Sequence, residues 1–131
     1  MIGGRRQGTQ AVAVAVGILA AAALSPLAVA QGDPAAGQKL YSMTCVGCHG
    51  DAKTPATTGP TLVGIIGRKA GASAGGVISR ANVESGIVWD EKTLDQYLAS
   101  PSEKIHGTIM PIGVKNPKER IDLIAYLKSL K

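Results

Sequence analysis

The chain contains no phenylalanine, and its aromatic side chains come to one Trp and three Tyr in 131 residues. Tyr41, Trp89, Tyr97 and Tyr126 therefore supply almost none of the flat apolar bulk that fills most domain cores. With only two cysteines the chain has no disulfide framework of the kind that staples small secreted domains. No segment alternates apolar and polar residues with period two, so a sheet core finds no support. Blocks of like charge are also missing. The pI of about 9.4 comes from dispersed lysines and arginines, which leaves no footprint for nucleic acid.

What is present begins with a leader. Arg5 and Arg6 precede an apolar run from Ala11 to Leu24 that only Gly17 interrupts, and Pro26 ends it. Ala28-Val29-Ala30 then offers small residues at a cleavage position. This is the grammar of a secretory signal peptide over residues 1–30, and cleavage leaves a single domain over 31–131. An uncleaved anchor is the alternative, but the run is short of the roughly 20 residues that a spanning helix needs. Cleavage removes Arg5 and Arg6 and no acid, which lowers the formal net charge from +5 to +3. The expected location of the mature chain is the periplasm, where thiols are oxidised or otherwise committed.

Those two thiols stand in Cys45-Val46-Gly47-Cys48-His49. The C-x-x-C-H spacing is that of covalent c-type haem attachment: two thiols add across two vinyl groups, and the next histidine lies beneath the iron. A zinc site needs about four ligands, and outside the motif only His106 offers a further donor of the usual nitrogen or sulfur kind. A thioredoxin-like dithiol needs strand-helix patterning that is missing here, and a disulfide across so short a loop stabilises little. One haem c held through Cys45 and Cys48 is the expected cofactor. Its bulk answers the shortage of aromatics, and its two propionates bring the mature chain close to neutrality.

Three helices have capping signals. Asp33-Pro34 opens one that runs through Met43 and delivers Cys45 at its end. Asp90 caps a second from Glu91 to about Ser100, which Pro101 stops. Asn116-Pro117-Lys118-Glu119 has a capping-box arrangement and opens a third to about Leu130, with Ile121, Leu123, Ile124 and Leu127 at helical spacing. Between His49 and Trp89 the chain reads as loops with one short helix near 81–85, unusually long for a domain with nothing to wrap around. The expected fold is all-α, with about three to five short helices and long loops around one haem.

Several segments in order carry a family resemblance: Gly32-Asp33, Gly37, Tyr41, the attachment motif, Gly59-Pro60-Thr61-Leu62, and Gly67-Arg68-Lys69. Gly86-Ile87-x-Trp89, Thr93-Leu94-x-x-Tyr97-Leu98-x-x-Pro101, Gly107-Thr108-x-Met110 and Asp122 to Leu127 complete the series. Over nearly all of 32–131 the chain resembles the class I cytochromes c, which include the mitochondrial protein and bacterial cytochromes c2. The resemblance implies a one-electron carrier and not an enzyme, with His49 and Met110 as the iron ligands and no catalytic residue. It implies that Pro60 accepts from the second ring N–H of His49, that Arg68 and Trp89 stabilise propionates, and that Asn82 and Tyr97 tune the methionine side. It also implies that the helix holding Gly37 and Tyr41 crosses the last helix near Leu123 and Tyr126.

His106 is the competing distal ligand and is expected to be exposed, while Met43 is expected in the core. Departures from the family pattern fall on the surface around the haem. Pro111-Ile112-Gly113 is one residue shorter than the mitochondrial loop, and Ile78 stands where a tyrosine is usual before Arg80. Ser102, Glu103 and Ile109 occupy places where lysines are common; Lys39 and Lys104 remain. The implied partners are redox proteins docking at the exposed haem edge, here a largely apolar surface of Ile109, Pro111 and Ile112, with the carrier a monomer outside the membrane. Two other readings are a dedicated subunit of one periplasmic dehydrogenase and a gas sensor or catalyst with a labile methionine.

Overall fold

The computed structural model describes residues 1, 3–4, 31–51, 53, 56–73 and 75–131. The leader and its cleavage position therefore fall almost wholly outside the described residues. Asp33 opens α1 (Pro34–Thr44), its carboxylate taking the Ala35 and Ala36 N–H groups at 2.8 and 3.3 Å, with Pro34 in the first turn. A single turn, α2 (Val46–His49), follows directly from it. Among its described residues the long loop region then holds α3 (Arg80–Glu84), capped by Ser79, and an isolated bridge between Lys69 and Val88. The C-terminal third carries α4 (Glu91–Ala99), α5 (Pro101–Lys104) and α6 (Pro117–Ser129). The all-α expectation is met.

Two local expectations need correction. The reciprocal capping box forms at α4 and not at α6: Asp90 Oδ1 accepts the Thr93 N–H at 2.7 Å while Thr93 Oγ1 accepts the Asp90 N–H at 2.8 Å. At α6 the Asn116 side chain takes the Lys118 N–H instead, one residue earlier than a box requires. Pro101 does stop α4, but it also starts α5, because a proline ring suits the first helical position where no N–H is needed.

The core lies where α1, α4 and α6 meet: Tyr41, Leu94, Tyr97, Leu98, Leu123, Ile124 and Leu127 are buried together with Trp89. The crossing of α1 and α6 depends on glycine. A Cβ on Gly37 would sit 2.0 Å from the Asp122 carbonyl oxygen, so the backbones touch. Beside that contact the Tyr41 and Tyr126 rings pack at 5.3 Å with a 59° tilt.

Asp122 makes the crossing polar as well as tight. Its Oδ1 accepts the Asp33 N–H at 2.7 Å, and Lys118 Nζ reaches both carboxylate oxygens at 2.6 and 2.7 Å. The Lys118 ammonium and the Asp33 N–H hold this carboxyl below the ordinary carboxylate range. A depressed folded value means that the contribution to stability is full above the ordinary carboxylate pKa of about 4, and is lost as pH falls through the lower folded value. Asp122→Asn keeps an oxygen for Asp33 and loses the Lys118 pair. Its melting temperature should lie below that of the parent at pH 6, and the gap should close towards pH 2. A gap independent of pH would show that the carboxylate charge contributes nothing.

Candidate functional site

The attachment segment is held at a helix junction. Cys45 ends α1, its N–H bonded to the Tyr41 carbonyl at 2.8 Å, and its own carbonyl accepts from Cys48 and His49 at 3.2 and 2.9 Å. Gly50 leaves the turn at φ 62°, ψ −165°, a left-handed φ that glycine adopts without a Cβ penalty. The Tyr41 hydroxyl donates to the Gly50 carbonyl oxygen. Burial, ahead of smaller effects from Cys45, Tyr126 and Asp51, pushes this phenol well above the ordinary tyrosine range, so it stays a donor.

Both cysteines line the same cleft and form no disulfide, Cys45 half-buried and Cys48 exposed. Burial, with Cys48 nearby, pushes the Cys45 thiol up to about 11. Among the described residues there is no group of three or more His, Cys, Asp and Glu side chains that could hold a metal ion.

His49 is placed by the following loop. The Gly59 N–H bonds to the Cys48 carbonyl at 2.9 Å, and the Pro60 carbonyl oxygen lies 2.7 Å from His49 Nδ1. A carbonyl can only accept, so Nδ1 carries the proton and the Nε2 lone pair is left for another partner. A side chain at 59 would collide with the ring, since a Cβ there would lie 2.7 Å from Cε1. Gly76 packs behind in turn, where a Cβ would sit 1.9 Å from the Gly59 carbonyl oxygen.

Met110 is carried by the loop between α5 and α6. Tyr97 Oη and Thr108 Oγ1 lie 2.6 Å apart, and Thr108 Oγ1 accepts the Met110 N–H at 3.4 Å. Tyr97 is itself set by the Trp89 ring, 5.0 Å away and tilted 57°. On the return of the loop the Val114 N–H bonds to the Leu98 carbonyl at 2.7 Å. Arg120 then ties α6 to α4 and the loop: Nε donates to Asp95 at 2.7 Å, and an η-nitrogen donates to the Val114 and Lys115 carbonyls at 3.0 Å.

All nine site residues expected from the sequence, Cys45, Cys48, His49, Pro60, Arg68, Asn82, Trp89, Tyr97 and Met110, line one cleft. It encloses about 1250 Å³ of empty space, part of it open to solvent, between apolar walls that include Leu62, Ile65, Leu94, Leu98, Leu123 and Leu127. Arg68 is bonded to backbone here: its guanidinium donates to the Val63 carbonyl at 2.9 Å and to the Thr61 carbonyl. Burial lowers its pKa from the ordinary arginine value. Asn82 is turned onto Ser79, whose hydroxyl donates to Asn82 Oδ1 at 2.7 Å and accepts the Asn82 N–H at 3.1 Å.

Met43 corrects the expectation of a core methionine. It is 75% exposed and does not line the cleft, because α1 turns its last apolar position outward beside Ser42. His106 is exposed, as expected, and also stays out of the cleft lining. The Asp122 clamp, Arg120, Thr108 and Gly76 carry structural tasks that no single-residue signal announces.

A wide apolar cleft with two thiols, an imidazole and a thioether on its lining, and a glycine where a ring needs room, fits a porphyrin with its iron. The fold and this cleft define a protein built around one covalent c-type haem, whose chemistry is electron transfer. The family model for Cytochrome c matches residues 34–131. Cytochrome c2 of Rhodopila globiformis is 42% identical over 101 residues, 76% of this chain and 95% of that protein. Cytochrome c of Euglena viridis is 40% identical over 101 residues, 76% and 99% of the two chains. Among solved structures, cytochrome cH from Methylobacterium extorquens superposes with a TM-score of 0.66 at 42% identity, covering 75% of this chain and 99% of that one. The chain belongs to the cytochrome c family, class I.

Proposed function

We propose that this cytochrome is an exported, periplasmic one-electron shuttle whose iron is held by His49 and Met110. The observation that carries the reading is the convergence of both side chains on one cleft, the His49 ring held by the Pro60 carbonyl and the Met110 main chain by Thr108. The haem supplies exchange of one electron between ferric and ferrous iron. His49 would give Nε2 while Pro60 holds Nδ1–H, which strengthens the imidazole as a donor. Met110 would give a soft thioether, which favours ferrous iron and raises the potential relative to a second histidine. Two protein ligands leave no vacancy for a substrate, which separates a carrier from a catalyst.

Trp89 and Arg68 would stabilise the propionates, and Asn82 and Tyr97 would tune the methionine side. Apolar walls would limit water at the iron, and the hydrogen-bonded His49, Tyr97 and Thr108 beside it would leave little to reorganise when charge changes. Partners would dock over the cleft mouth at Ile109, Pro111 and Ile112, all exposed on its lining. With Ser102 and Glu103 in place of basic residues, their approach owes little to electrostatic steering. Electrons would arrive from a membrane complex or periplasmic dehydrogenase and leave to an oxidase, reductase or photochemical centre, carried by a monomer. Export rests on the composition of residues 1–30, with cleavage after Ala30. Among the described residues no helix is long and apolar enough to cross a membrane.

The test is the optical spectrum of the holoprotein, recorded ferric, ferrous, and ferrous under carbon monoxide. A weak far-red sulfur-to-iron band and indifference to carbon monoxide are expected. Ready carbon monoxide binding without that band would remove Met110 as a firm ligand and favour gas binding. The mass of the same preparation checks the leader, since a chain beginning elsewhere than Gln31 would overturn the proposed cleavage.

A further inference from the structure

Tyr41 contacts the attachment segment at both ends. Its main-chain carbonyl accepts the Cys45 N–H at the entry, and its hydroxyl donates to the Gly50 carbonyl at the exit, one residue past His49. The ring between these two bonds is only 2% exposed and is packed against Tyr126 of α6. The packing explains an aromatic ring at this position, but it does not call for a hydroxyl: phenylalanine would fill the same space. The hydroxyl also falls on a glycine, the residue type with the most backbone freedom. Gly50 is buried, so its carbonyl needs a partner inside the protein.

We propose that the Tyr41 hydroxyl is a positioning group for the proximal histidine. It fixes the Gly50 carbonyl, stops the glycine from rotating, and so holds the exit of the turn that presents His49 to the iron. It acts beside the Pro60 carbonyl: one bond orients the ring and the other anchors the backbone that carries it. The inference rests on His49 being an iron ligand.

Tyr41→Phe tests it in the ferrous holoprotein, because the ring and its packing on Tyr126 are kept. Proton exchange is followed by NMR at His49 Nδ1–H, at the amides of His49 and Gly50, and at the amides of Leu123 and Leu127 in α6. Loss of a buried hydrogen bond should speed exchange about ten-fold at the first three positions. The α6 amides, which report global stability, should change by less than about two-fold. Tyr126→Phe removes the hydroxyl from the other ring of the pair and should leave His49 and Gly50 unchanged. Unaltered exchange at His49 and Gly50 in Tyr41→Phe would overturn the proposal, and so would equal acceleration throughout α6, which would make Tyr41 only a core residue. If His49 ring protons in the parent lack the large shifts of a haem ligand, the ligation itself fails and the inference with it.

Discussion

Met110→Ala should abolish the far-red band of the ferric protein, allow full conversion of the ferrous protein under carbon monoxide, and lower the reduction potential. Axial-ligand choice spans roughly 0.8 V among haem proteins, and loss of the thioether should cost a tenth of that range or more. The fold should survive, because the loop is tied down on both sides of position 110. Thr108 is held by Tyr97, Val114 by the Leu98 carbonyl, and the Val114 and Lys115 carbonyls by Arg120. The Met110 side chain is only partly buried against the edge of the core, so the change should read mainly as loss of a ligand and not as unfolding. His106→Ala is the companion variant. His106 is exposed and outside the cleft lining, so its spectrum and potential should match the parent. A reversed pattern, with His106→Ala losing the spectrum and Met110→Ala keeping it, would assign the distal site to the histidine.

The contrast between these two residues shows what could be read from the chain. The Gly107-Thr108-x-Met110 pattern selected Met110 because a loop motif keeps its register, and capping signals placed α1, α4 and α6 to within a residue or so of their bounds. All nine expected site residues fall on the cleft lining, and eight of them stand in segments whose order along the chain is distinctive; Asn82 does not. Residues whose task is defined by a distant partner were not legible. Asp122 looks like one polar position on an amphipathic helix until its carboxylate meets the Asp33 N–H, 89 positions away. Arg120 looks like a surface charge until it is found on three acceptors from α4 and the methionine loop. Met43 failed for the opposite reason. Its hydrophobicity suggested a core place, but the helical face on which it falls is set by the α1–α6 crossing, which composition does not fix. The turns α2 and α5 were missed because four residues carry too little periodicity to stand out from a loop.

That same crossing gives the largest expected effect on stability. Gly37→Ala adds one methyl group 2.0 Å from the Asp122 carbonyl oxygen, 2.6 Å from its carbonyl carbon and 2.9 Å from Tyr126 Cβ. Helix propensity alone favours the change by about 1 kcal/mol, since alanine is the better helix former. Overpacking works against it, at typically about 1–3 kcal/mol where side chains can adjust. Here the obstacle is the backbone of α6, which no rotamer change relieves, so the upper end of that range applies. To make room, α1 and α6 must part, which loosens the Tyr41–Tyr126 contact and stretches the Asp33–Asp122 bond. A net loss of about 2 kcal/mol should lower the melting temperature of the ferric holoprotein by roughly 8–16 °C, followed by circular dichroism in the helical region. The effect should also reach the cleft, because Tyr41 lies on the face of α1 that would be displaced and also lines the haem site. An unchanged or raised melting temperature would mean that the helices stand farther apart than the structure places them, and that propensity governs the position.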